Sequence, residues 1–162
     1  VETLTTDKAV KLFEKFGIFT KAELESREEV LYEIYAKTIN IEALTMVDMA
    51  SKEIIPAVIK YSKSLADSVL AVKEAGADAE VQTELLKEVS AKLTEMKTAL
   101  AKLEEAEAKA AAMENAKDQA FYYKDVVKAA MDALRKPADE LEMIVDKKVW
   151  PFPTYADLMF EV

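Results

Sequence analysis

Two groups of carboxylates stand close enough along the chain to suggest chemistry: Glu104, Glu105 and Glu107, and Asp139, Glu140 and Glu142. Such groups offer oxygen ligands to a divalent cation, but a closed cation site draws convergent oxygens from several segments. On a helix the same spacing gives a solvated face, where pairs with Lys or Arg three or four residues away contribute a few tenths of a kcal/mol each. The surface reading is the stronger, and no metal ligand is assigned. The chain has no His and no Cys. That removes the commonest general base, the commonest transition-metal ligand, thiol catalysis, disulfides and Cys-bound zinc or iron. Its two isolated Gly build no phosphate-cradling loop. No Ser, Tyr or Lys is recognisably paired with a base, so no catalytic or cofactor-binding residue is assigned either.

A different chemistry gathers in the last stretch, VWPFPTYADLMFEV. It holds the only Trp and two of the four Pro, with Phe152, Tyr155 and Phe160 beside them. Pro151 and Pro153 oppose helix and push Trp150 and Phe152 toward extended backbone. Each large ring removed from water is worth about 2 kcal/mol, so this tail is expected to dock. The candidate docking residues are Trp150, Pro151, Phe152, Pro153, Tyr155 and Phe160. Two surfaces suit them equally well: the end of the chain's own bundle, or a groove on another domain or subunit.

The elements that must position these groups are helices. With 162 residues, 51% of them apolar, the chain has the size of one domain that buries roughly 70% of its unfolded surface. Gly17 and Gly76 each stand where a helical pattern stops, as a left-handed closing residue does. Thr6 or Asp7 caps a first helix, and Thr20 to Glu23 reads as a capping box that opens a long one. From Leu44 the apolar spacing alternates three and four through Val47, Ser51, Ile54, Val58, Tyr61, Leu65, Ser68 and Val72, with Ile55 and Ile59 widening the stripe. Pro56 lies inside this stripe and predicts a kink.

After Gly76, Asp78 is a cap candidate for a helix with the seam Leu86, Val89, Leu93, Met96, Leu100, Leu103 and Ala110. At ~37 residues and ~55 Å it needs a long neighbour, and an antiparallel hairpin about Gly76 supplies one. A turn is placed near 114 to 118, where Asn115 and Asp118 are the stop and cap candidates. The last helix carries Tyr123, Val127, Ala130, Leu134, Leu141 and Ile144, with a second kink or restart at Pro137. Met46, Met49, Met96, Met113, Met131 and Met143 read as core filler.

The expected fold is thus all-α, an antiparallel bundle of long kinked helices with an extended aromatic and proline-rich C-terminal tail. It is read as a single helical domain over 1–162, with helices at about 6–16, 20–75 (kinked at Pro56), 78–114 and 118–148, and the tail at 149–162.

Thirty-one acidic against 22 basic residues give a net charge of −9, and the basic ones are dispersed, which disfavours a nucleic-acid partner. No apolar run approaches the ~20 residues that cross a bilayer, and VETLTTDKAV lacks the pattern of a secretory leader. The polar faces are acidic or mixed, unlike those of most membrane-surface helices. A cytoplasmic protein with neither nucleic acid nor membrane as partner is expected. The initial Val fits a processed protein or a piece of a longer one.

Four stretches carry a family resemblance: KAVKLFEKFGIFTKAELESR at 8–27, KTINIEALTMVDMASKEIIPAV at 37–58, FYYKDVVKAAMDALRKPADELE at 121–142 and WPFPTYADLMF at 150–160. Together they resemble the C-terminal region of type III glutamine synthetases. The likeness spans essentially the full chain and is weakest over 77–118. It implies a parent enzyme that makes glutamine from glutamate, ammonia and ATP with divalent metal (Mg or Mn) and assembles as two stacked hexameric rings. In that family the catalytic barrel lies upstream, and none of its motifs is found here. The resemblance therefore implies a non-catalytic helical segment whose partners are the catalytic domain and neighbouring subunits. By itself the segment is not expected to be an enzyme. A free-standing coiled-coil adaptor, using its seams for a partner helix, is the alternative.

Overall fold

Gly17 and Gly76 have φ of 62° and 77°, and each closes a helix in the same way. Behind Gly17, the Ile18 amide donates to Phe13 O at 3.0 Å and the Gly17 amide to Glu14 O at 3.0 Å; behind Gly76, the Ala77 amide donates to Val72 O at 3.1 Å and the Gly76 amide to Lys73 O at 3.0 Å. These are Schellman closures, which satisfy the last carbonyls and need a residue with no Cβ at the left-handed position.

The computed structural model describes residues 1–160, which are helical with no strand among them. The helices are α1 Asp7–Lys15, α2 Lys21–Met49, α3 Ile55–Glu74, α4 Glu80–Ala111, α5 Ala116–Tyr122, α6 Lys128–Ile144 and α7 Tyr155–Phe160. Thr6 caps α1, its hydroxyl accepting from the Ala9 amide at 3.4 Å. At the start of α2 the Thr20 amide donates to Glu23 Oε2 at 2.7 Å, and the Glu23 amide returns to Thr20 Oγ1 at 3.4 Å.

Between α2 and α3, Ala50–Ile54 forms a π-turn in which the Ile55 amide donates to Ala50 O, five residues back. Pro56 follows at once. It has no amide to offer the carbonyl four residues earlier, and the wider turn accommodates that missing bond and the ring. A second π-turn, Tyr123–Val127, joins α5 to α6. Pro137 produces no restart: α6 is one helix across it, and the ring is buried.

The described residues form two compact units, Val1–Leu44 with Ala106–Ala129, and Thr45–Glu105 with the chain from Ala130 onward. In the first, Leu24, Tyr32 and Ala43 of α2 are buried, as are Ala106, Ala110 and Tyr123. Asn40 Nδ2 donates to Glu107 Oε1 at 2.7 Å and to the Tyr123 hydroxyl at 2.8 Å. Residues 112–115 break α4 from α5; there Asn115 Oδ1 accepts from the Asp118 amide at 3.0 Å, and Gln119 Nε2 reaches back to Ala110 O at 3.0 Å.

In the second unit Val89, Met96, Leu100 and Leu103 of α4 are buried, with Leu134 and Leu141 of α6. The Lys92 ammonium meets Glu140 Oε2 at 2.7 Å. The expected stripe from Leu44 holds along most of its length: Ile54 and Val58 are buried, and Val47, Ser51, Tyr61, Leu65, Ser68 and Val72 are half-buried. It fails at its start and its margin, where Leu44 and Ile59 face water, while Ala50, Ala57 and Val69 beside it are buried as well. Small residues such as Ala50 and Ala57 let helices approach closely, so burial extends to positions that a count of large side chains passes over. Met143 and Met49 are exposed as well, and so do not act as core filler.

Candidate docking surface

Beyond α6 the chain turns on Asp146. Its carbonyl accepts from the amides of Val149 at 2.8 Å and Trp150 at 3.0 Å, and its carboxylate accepts from the Lys148 amide at 2.8 Å. The turn pairs the amides of residues 148–150 with Asp146 itself and redirects the tail. Trp150 is then 8% exposed. With Phe152, Pro153 and Leu158 it lines a cavity of about 380 Å³, walled by Met49, Ile54, Ala138, Asp139 and Glu142 of the same unit.

The tail is not extended throughout. Once past Pro153 no proline opposes helix, and Tyr155–Phe160 forms α7. Thr154 and Asp157 initiate it: the Thr154 amide donates to Asp157 Oδ2 at 2.9 Å, the Thr154 hydroxyl to the same oxygen at 2.8 Å, and the Asp157 amide to Thr154 Oγ1 at 3.3 Å. This is the reciprocal bonding of a capping box with Asp as the acid. The Lys147 ammonium donates to the other Asp157 oxygen. Lys147 first, and then Thr154, stabilise the charged form and hold the Asp157 carboxyl down at about 2.

The six candidate residues thus divide. Trp150 is buried, Pro151 and Phe152 are half-buried, and Pro153 is exposed. Phe160 is 78% exposed and sits beside Leu158 and Met159, both exposed. Tyr155 opens α7, and its side chain lies outside the described residues. Trp150 is therefore seated on its own unit, and the last turn of α7 offers an apolar end to water.

The carboxylate groups named from sequence do not converge. Glu107 accepts from Asn40, Asp139 pairs with Arg135 at 3.3 Å, and Glu140 pairs with Lys92 at 2.7 Å. Lys92 holds the Glu140 carboxyl below its ordinary value, and Glu140 and then Glu95 raise the Lys92 ammonium. Among the described residues no three Asp or Glu are placed to hold a metal ion. No described helix is long and apolar enough to cross a membrane.

The Asn40, Glu107 and Tyr123 cluster was not singled out from sequence. Its members lie 67 and 83 positions apart, and only the polarity of Asn40 among apolar neighbours signals it.

Residues 1–73 match a family described as the glutamine synthetase C-terminal domain. A glutamine synthetase of Butyrivibrio fibrisolvens is 38% identical over 159 residues, which cover 97% of this chain and 23% of that protein. One from Bacteroides fragilis (strain YCH46) is 32% identical over 149 residues, 88% of this chain and 20% of its own length. A type-3 glutamine synthetase of Dictyostelium discoideum is 31% identical over 163 residues, 97% of this chain and 22% of its own. The chain spans less than a quarter of the length of each of these relatives.

Proposed function

We propose, from the premise that this chain belongs to the glutamine synthetase family through its C-terminal domain, that it is the non-catalytic helical region of a type III enzyme and serves that enzyme's assembly. The observation that carries the reading is the match itself. It runs over 97% of this chain yet occupies 23% of the Butyrivibrio protein, so the chemistry of a ligase has most of its sequence elsewhere.

In this reading the parent is an ATP-dependent glutamate-ammonia ligase of the cytoplasm, and ATP and Mg or Mn bind outside this region. Residues 1–162 act as one antiparallel bundle of long kinked helices. The bundle supports the catalytic domain and contributes to contacts with neighbouring subunits, with neither nucleic acid nor membrane as partner. The tail residues Trp150, Pro151, Phe152, Pro153, Tyr155 and Phe160 are the docking elements. Trp150 anchors the tail, and the exposed end at Leu158, Met159 and Phe160 is the part free to meet another surface, since exposed apolar clusters mark contact sites.

The test is deletion of residues 149–162 from the parent enzyme. The expected result is a lower assembled mass by light scattering, with reduced ligase activity. An intact oligomer of unchanged activity would refute the assembly role.

A further inference from the structure

Helix α2 is apolar on two opposite sides. Leu24, Tyr32, Ala36, Ile39 and Ala43 are buried in the first unit. At 100° per residue, Val30, Ile34, Ile41 and Leu44 fall together on the other side, and they are 49%, 55%, 66% and 47% exposed. One step round the helix, Leu31 and Tyr35 line an open groove of about 380 Å³ with Ala120 and Phe121. Such exposure is concentrated in one part of the chain. Of the 19 large hydrophobic residues exposed among the described ones, 13 fall within residues 1–73, the stretch that the family match covers.

Size and charge select the occupant. Four half-exposed aliphatic side chains offer on the order of 200–400 Å² of apolar surface, below the roughly 450 Å² of apolar surface that each partner of a stable free-standing interface buries. A second copy is also opposed by charge. Helix α2 carries seven acidic residues and three basic ones, in a chain of net charge −9, so copies meeting here place like charge against like. A surface tethered in the same polypeptide needs no such area, because its effective concentration is already in the millimolar range. The relatives have that polypeptide: the matched stretch is 23% of the Butyrivibrio protein.

We infer that the outward stripe of α2, Val30, Ile34, Ile41 and Leu44, is the seat on which the remainder of the enzyme's own polypeptide packs. The inference rests on the reading of this chain as a region of a longer ligase. It adds the seat, which is separate from the tail.

The test places a photoreactive residue in the full-length enzyme, as Ile34→p-benzoylphenylalanine and separately Ile41→p-benzoylphenylalanine. Glu88, exposed on α4, is replaced likewise as the reference. The expected result is adducts from both α2 positions to peptides outside this region, at several times the yield from position 88. Adducts joining two copies of this region, or yields no higher than the reference, would overturn the inference. The tail deletion reads assembly independently. A failed cross-link beside a deletion that still lowers the assembled mass removes the seat and leaves the assembly role standing.

Discussion

Asp157 shows how much one side chain does where the chain has little else to hold it. Its carboxylate receives Lys147, the Thr154 amide and the Thr154 hydroxyl, and hydrogen bonds to the charged form favour ionisation. Its folded value of about 2 lies below the ordinary 3.8. A lowered carboxyl contributes stability that is present above its unfolded value and lost as pH falls through its folded one. The start of α7 is therefore expected to hold at pH 4 and loosen toward pH 2. The Thr154 amide proton, followed by NMR, should titrate with a midpoint near 2 and lose that titration in Asp157→Asn. A midpoint at the ordinary carboxylate value would remove Asp157 from this role.

At the scale of elements, the helix ends are set by backbone chemistry over a few residues. Gly76 has φ 77°, and a Cβ built there meets nothing within 4 Å. The cost of Gly76→Ala is thus confined to the left-handed backbone, roughly 1–2 kcal/mol. Denaturant unfolding should show that loss, with helicity retained in the folded state. An unchanged midpoint would mean that the turn between α3 and α4 does not require the left-handed residue. The interiors of the same helices follow a different rule. Leu44 looks as eligible for the core as Ala43, yet Ala43 is buried and Leu44 is not. The choice depends on a neighbouring helix far away in sequence.

For the whole molecule, the tail decides whether the chain is self-sufficient. Trp150 is 8% exposed in its own unit, so its emission in the isolated chain is expected to be blue-shifted and independent of concentration. Trp150→Ala should cost about 3 kcal/mol, the low end for emptying a large buried site. A red-shifted emission that moves to the blue as concentration rises would instead place Trp150 in a contact between copies. That outcome favours the coiled-coil adaptor.

The helical class follows from the sequence because the 3.6 periodicity recurs without useful strand alternation. So do the closures at Gly17 and Gly76 and the box at Thr20 and Glu23, since each depends on groups within about five residues. The interruption near Asn115 was legible for the same reason, through a cap residue. Three features required the folded chain: which side of α2 is covered, the meeting of Asn40 with Glu107 and Tyr123, and the cavity that Trp150 lines together with Met49 and Ile54. Local hydrogen bonds are dictated by adjacent residues. Burial is decided by whichever distant side chain arrives, and a helix apolar on both sides carries no record of that in its own spacing.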